Sequence, residues 1–240
     1  MPDAQISYEG DVVLKLHRPG TDPQALRRRL RVAVRSGVLA SPLTSEPQAV
    51  DGRWLTRWPR LEMVRPDPAR LPWRRAGELL AQLHTEPVGN LVVAHGAPDR
   101  LSRALARLGD GPGSDVIRRA SAGLDLTATT DRPIALTHGD FHLGQLGHDG
   151  KAWQLIDVDD LGVGDPVWDL ARPAGFWAAG LVPDDDWHRF LDGYRGAGGP
   201  ALPPGDPWPV LEQVARAAVV AAAANHPDDT LLVAACGRMV

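Results

Sequence analysis

Apolar positions in the first sixteen residues fall in short runs on either side of a glycine. Residues 4–9 and 11–16 therefore read as two strands joined at Gly10, the second carrying Val12, Val13, Leu14, Lys15 and Leu16. From Asp22 the period lengthens. Leu26, Leu30, Ala33 and Val34 recur at helical spacing as far as Gly37, with Asp22 and Pro23 where a cap and a first helical residue belong. Residues 38–58 predict further short strands and turns. After a connection at 60–71 rich in Pro and Arg, Pro72 opens a helix with Trp73, Ala76, Leu80 and Leu83 on one face. Helical spacing returns at 98–108, 114–124, 166–178, 184–195, 207–224 and 227–236, interrupted by two apolar strands at 133–137 and 152–158. The fold class expected is α+β in two lobes, a small strand-rich one over 1–58 and a mainly helical one over 59–240. The small lobe is thin for folding alone and is expected to lean on the second.

Charge divides along the same line. Residues 15–75 hold fourteen Lys or Arg against five Asp or Glu, whereas 131–192 hold twelve Asp against four Lys or Arg. The net charge of −4 hides this asymmetry. A basic part suits the phosphates of a nucleotide, an acidic part suits a magnesium ion or a cationic substrate, and solvated surface explains either equally well. With 43% hydrophobic residues the chain is expected to bury a sizeable core. The single Cys236 excludes an internal disulfide and is compatible with a reducing cytoplasm. The N-terminal residues show no apolar run after a basic segment, and the Ala-rich stretch at 215–224 is short and broken by Arg216. A cytoplasmic protein with no membrane partner and no nucleic-acid partner is expected.

The chemistry concentrates between Leu136 and Ala171. In His138-Gly139-Asp140 the glycine lets the backbone turn sharply after a strand, so that Asp140 projects beyond the strand end, where it can accept a hydrogen bond from a hydroxyl. His138 is expected to be a buried support of this loop. Asp157 ends the apolar run Trp153-Gln154-Leu155-Ile156, and a carboxylate so placed must be hydrogen-bonded, paired or metal-bound. Metal binding is expected. Gln145 offers an amide oxygen five positions after Asp140, although a surface glutamine is the plain alternative.

The segment 136–171 is similar to the aminoglycoside phosphotransferase and choline kinase-like superfamily: His-Gly-Asp, a polar amide, Ile156-Asp157, Gly164-Asp165-Pro166 and Asp169-Leu170-Ala171 follow in its order. The version His-Gly-Asp-Phe-His-Leu-Gly-Gln resembles the loop of bacterial maltokinases within that superfamily. The resemblance implies a bilobal protein-kinase-like fold, ATP and Mg2+ as cofactors, Asp140 as catalytic aspartate, and Gln145 and Asp157 as magnesium ligands. Asp165 and Asp169 would be supporting residues that cap the helix begun by Pro166. Lys15 would bind the nucleotide phosphates. One of only two lysines against 24 arginines, it stands where a compact point charge serves better than a guanidinium. The run Leu80-Ala81-Gln82-Leu83-His84 also resembles a helix end of the superfamily.

Two departures accompany the resemblance. The glycine-rich hairpin that precedes the lysine strand in the superfamily is shortened here to residues containing only Gly10, and 22–36 holds no Glu to pair with Lys15. Glu46 and Glu62 lie too far along to be assigned. The activity expected is an ATP- and Mg2+-dependent phosphotransferase whose acceptor is a hydroxyl of a small molecule of aminoglycoside, sugar or amino alcohol type. A catalytically impaired nucleotide-binding module of the same shape is the second reading. A metallohydrolase using His138, Asp140, His142 and Asp157 is the third. Asp159, Asp160 and Asp184 to Asp186 are candidate contacts for an amine-bearing acceptor, and Trp168, Trp177 and Trp187 for a sugar, unless the tryptophans fill a core. Asp140, Gln145 and Asp157 are expected to converge on one cavity.

Overall fold

A computed structural model describes residues 4–65, 67, 71–91, 93–127 and 132–239. Residues 66 and 68–70 of the predicted connection lie outside this set. The hairpin is present: β1 (Gln5–Glu9) pairs antiparallel with β2 (Val12–Leu16) around Gly10, whose φ is +59°. Then α1 (Pro23–Arg35) begins where Asp22 accepts a 2.9 Å hydrogen bond from the Gln24 amide, and it buries Leu26, Leu30 and Ala33. Strands β3 (Gln48–Val50) and β4 (Arg53–Pro59) complete an antiparallel sheet in the order β1-β2-β4-β3. This sheet and α1 form the small lobe.

The chain then crosses through β5 (Glu62–Met63), which pairs with β7 (Leu146–His148), itself paired with β8 (Trp153–Leu155). A second link joins the lobes. The Ala40 amide donates to Leu155 O and the Leu155 amide to Val38 O, each at 2.8 Å. The small lobe thus leans on the larger one through backbone pairing on both sides. The predicted strand 152–158 stops at Leu155 because Asp157 adopts a left-handed conformation, φ +63°. The predicted strand 133–137 shortens to β6 (Ala135–Thr137) and pairs with β9 (Gly162–Gly164), a strand the periodicity did not reveal.

The remaining helices fall within a few residues of their predicted spans: α2 (Trp73–Thr85), α3 (Ala97–Arg107), α4 (Pro112–Ala122), α5 (Val167–Ala178), α6 (Asp184–Gly196), α7 (Trp208–Asn225) and α8 (Thr230–Gly237). Leu79, Leu80 and Leu83 of α2 are fully buried, and each such burial stabilises by roughly 1.5–3 kcal/mol. Trp187 and Phe190 of α6 stack in the same core, and Trp177 of α5 packs on Trp187, so these tryptophans are packing residues rather than a sugar platform. No helix among the described residues is long and apolar enough to cross a membrane.

Two glycines let α2 and α6 meet backbone to backbone. A Cβ on Gly77 would lie 2.2 Å from Phe190 O, and one on Gly193 would lie 2.1 Å from Arg74 O. Neither backbone can retreat without moving a helix. Gly77→Ala is therefore expected to destabilise the protein by about 1–3 kcal/mol despite alanine's better helix propensity, as read from urea unfolding midpoints. A neutral or stabilising result would show that the helices slide apart freely.

Candidate active site

The loop after β6 is held from below. Asp169, on the first turn of α5 and 1% exposed, accepts from the amides of His138 (2.6 Å) and Gly139 (2.8 Å) and lies 3.0 Å from His84 Nε2. The sequence expectation that it caps the helix begun by Pro166 is corrected: it ties α5 and α2 to the loop instead. His84 Nδ1 in turn lies 2.8 Å from the Tyr194 hydroxyl. Burial raises the Asp169 pKa, but its hydrogen bond and charge interaction with His84, then His138 and the Gly139 amide, outweigh this and hold it below the usual carboxylate range. Asp165 accepts from the Val167 amide at 3.0 Å, as a helix-starting residue should, and also binds Arg132 bidentately at 2.9 and 3.1 Å.

Gly139 has φ +83°, and a Cβ there would sit 2.2 Å from Asp160 O, so the tight turn before Asp140 requires glycine. His138 is fully buried, as expected of a support. Its Nε2 lies 2.8 Å from Ile156 O, so one imidazole ring fixes the spacing between the Asp140 loop and the segment that carries Asp157.

Across the lobes, Lys15 Nζ lies 2.7 Å from Asp157 Oδ1 and 2.9 Å from Asp159 Oδ2. The departure noted in the sequence is resolved here: the lysine takes its carboxylate partner from the segment after β8 instead of from α1. Glu46 is not that partner, since it binds Arg27 and Arg31. Burial acts to lower the Lys15 pKa, yet Asp159 and Asp157 together raise it, so the ammonium stays charged. Behind Asp159 lies His17, 1% exposed, with Nδ1 at 3.1 Å from Asp159 Oδ1 and Nε2 at 2.9 Å from the Thr56 hydroxyl. Asp159 is held far below the usual carboxylate range by Lys15 and His17 despite its burial.

Lys15, Asp157 and Gln145 line one cavity of about 800 Å³ between the lobes, walled by Val13, Ala40 and Ile156. Gln145 is buried, 8% exposed, which excludes the surface alternative. Its side-chain amide makes no hydrogen bond among the described residues, and Asp157 Oδ2 likewise carries none, Oδ1 being taken by Lys15 and the Asp159 amide. Two hard oxygen donors on one wall fit a magnesium ion, which prefers few protein ligands and retains water. Among the described residues no three His, Cys, Asp or Glu side chains are placed to hold a metal; of the four residues of the metallohydrolase reading, His138 turns its Nε2 to Ile156 O, and Asp140 and Asp157 line different cavities.

Asp140 departs from the expected convergence. It lines a separate, smaller cleft with Arg100, Trp168, Arg172 and Asn225, and Arg100 Nη2 draws its Oδ1 to 2.9 Å. Burial pushes its pKa above the usual carboxylate range, against the pull of Arg100 and Arg172. His142 is driven down to about 4 by burial and by the positive charge of Arg172, His138 and Arg100, so it is neutral near pH 7. The sequence reading missed both arginines, because nothing local to 100 or 172 marks them as neighbours of residue 140.

The sequence model of the phosphotransferase enzyme family, APH, matches residues 5–208, a span holding Lys15, His138, Asp140, Gln145, Asp157 and Asp169. The chain belongs to that family. A search of curated protein sequences returns no match. Among solved structures, the amicoumacin kinase hAmiN in complex with AMP-PNP, Ca2+ and Ami aligns over 99% of this chain and 86% of its own, with a TM-score of 0.66 and 14% identity. The microcompartment-associated aminopropanol kinase aligns over 98% and 90%, with 0.62 and 18%. A choline/ethanolamine kinase family protein from Mesorhizobium loti aligns over 99% and 90%, with 0.55 and 17%. At these identities the likeness establishes the kinase-like fold, with its small and large lobes, for this phosphotransferase-family chain.

Proposed function

We propose that the protein transfers the γ-phosphate of ATP to a hydroxyl of a small molecule in a magnesium-dependent reaction. The observation that carries this reading is the meeting of Lys15 with Asp157 at 2.7 Å on the wall of a nucleotide-sized cavity that also exposes Gln145. Residues 1–58 supply the nucleotide side and 59–240 the loop and the acceptor side.

Lys15 places a compact positive charge against the donor's phosphates and is kept charged and in place by Asp159. Gln145 and Asp157 would hold the magnesium ion, which supplies neutralisation of phosphate charge. Asp140, projecting past Gly139 into its own cleft, accepts the hydrogen bond of the attacking hydroxyl and takes its proton as the new oxygen–phosphorus bond forms and the bond from the γ-phosphate to the departing ADP breaks. His138 and Asp169 hold this loop at its distance from Asp157 and are positioning residues. No covalent enzyme intermediate is needed; positioning and charge neutralisation supply the rate enhancement.

The test is ATP consumption and acceptor phosphorylation across a panel of small hydroxyl compounds, with and without magnesium. Magnesium-dependent transfer to a hydroxyl supports the proposal. ATP binding without transfer to any compound, at all magnesium concentrations, supports the impaired-module reading in its place.

A further inference from the structure

The cleft that holds Asp140 is unsuited to an amine. Asp159 and Asp160, offered by the sequence as contacts for a cationic acceptor, are both occupied: Asp159 by Lys15 and His17, and Asp160 by Arg100 at 2.9 Å, Arg103 at 3.7 Å and Arg18 at 3.9 Å. Asp184 accepts from Trp177 Nε1 and Asp186 from Arg189, both away from the cleft. Around the loop, four guanidinium groups, those of Arg18, Arg100, Arg103 and Arg172, face two carboxylates, those of Asp140 and Asp160. Exposed Asp99, which also acts on Arg103, leaves this surplus positive.

Arg172 is the more loosely held of the two arginines that line the cleft. Its side chain is 31% exposed and lines the cleft from α5, yet its nearest carboxylate oxygen, Asp140 Oδ1, is 3.9 Å away. Its guanidinium makes no hydrogen bond among the described residues, and its other contact is the face of Phe176 at 5.8 Å. The fork of N–H donors reaches the cleft, where a planar anion can meet it in place of water. Burial lowers the Arg172 pKa, with Asp140 opposing and Arg100 adding to the shift.

We infer that the acceptor is a small hydroxy compound bearing an oxyanion, a carboxylate or a phosphate, which Arg172 binds while Asp140 addresses its hydroxyl. This inference deepens the phosphotransferase reading and rests on it. A cleft of about 70 Å³ suits a small group, and Trp168 and the α7 residues Ala218 and Asn225 close its other walls. An aminoglycoside would bring several ammonium groups toward Arg100 and Arg172, where like charges repel.

The experiment is a thermal-shift and calorimetric titration at constant ionic strength with three sets of probes. These are glycerate and gluconate; glycerol 3-phosphate and glucose 6-phosphate; and ethanolamine, glucosamine and kanamycin. The expected result is saturable binding of a member of the first or second set, weakened at least about tenfold in Arg172→Gln and partly restored in Arg172→Lys, which keeps the charge but loses the fork. The set that binds identifies the carboxylate or the phosphate as the recognised group. Binding of the amines alone, or of none of the probes, overturns the inference. It also fails if Arg172→Gln slows transfer to every acceptor equally while anion binding is intact, since the arginine would then serve the transferring phosphoryl group. ATP titrated separately into the wild-type protein tests the phosphotransferase reading, so the two failures are distinguishable.

Discussion

Asp140→Asn is expected to lower phosphoryl transfer by about 10²–10⁴-fold while changing ATP affinity by less than about threefold. The side chain retains its shape and one acceptor oxygen, but it can no longer take the hydroxyl proton. ATP affinity is spared because the residues lining the larger cavity, Lys15, Gln145 and Asp157, do not include Asp140. Steady-state rates alongside equilibrium nucleotide binding separate the two effects. The wild-type pH profile provides a second check. Burial holds the Asp140 carboxyl above the usual carboxylate range, and the ionised form is the proton acceptor, so activity rises with pH through that raised value and falls away below it. This acidic limb is expected to disappear from the residual activity of the variant. Rates near those of the wild type in Asp140→Asn would remove Asp140 from the mechanism.

Asp169→Ala is expected to destabilise the protein by about 3–5 kcal/mol, because it strips the partner from three buried donors at once. Those donors are the His138 and Gly139 amides and the His84 ring, all enclosed where water cannot replace the carboxylate. Chemical unfolding measures the loss, and activity should fall with it since the same bonds shape the turn before Asp140. The pH dependence has a definite sign. The folded pKa of Asp169 is depressed, so its contribution is fully present above the unfolded carboxylate range and is lost as pH falls through the lower folded value. The alanine variant should therefore lose less stability than the wild type on acidification below about pH 4. A destabilisation under about 1 kcal/mol would mean that the loop is held by other contacts.

How much of this was visible in the chain depended on the range of each interaction. Helical periods gave α1 to α8 within a few residues, because amphipathic spacing is a local property. The His138-Gly139-Asp140 turn and Asp157 at a strand end were legible for the same reason, since glycine and an apolar run carry their meaning in a few positions. Lys15 was legible through scarcity of its residue type. Its partner was not: Asp159 lies in the other lobe, and only the fold brings it within 2.9 Å. The short strand β9 escaped because Gly162-Val163-Gly164 has no alternation to read. The acidic character of 131–192 pointed toward a cationic acceptor because composition counts charges without their partners. Once Arg18, Arg100 and Arg103 arrive from distant segments, Asp160 is taken up, and the charge left over around the Asp140 cleft is positive.

The most direct measurement is calorimetric binding of a non-hydrolysable ATP analogue, with magnesium and with chelator, to the wild type, Asp157→Ala and Asp140→Asn. Binding should be saturable and strengthened by magnesium in the wild type and in Asp140→Asn, and the magnesium effect should vanish in Asp157→Ala. Failure of the wild type to bind, or a magnesium effect that survives in Asp157→Ala, would contradict a nucleotide site built from Lys15, Gln145 and Asp157.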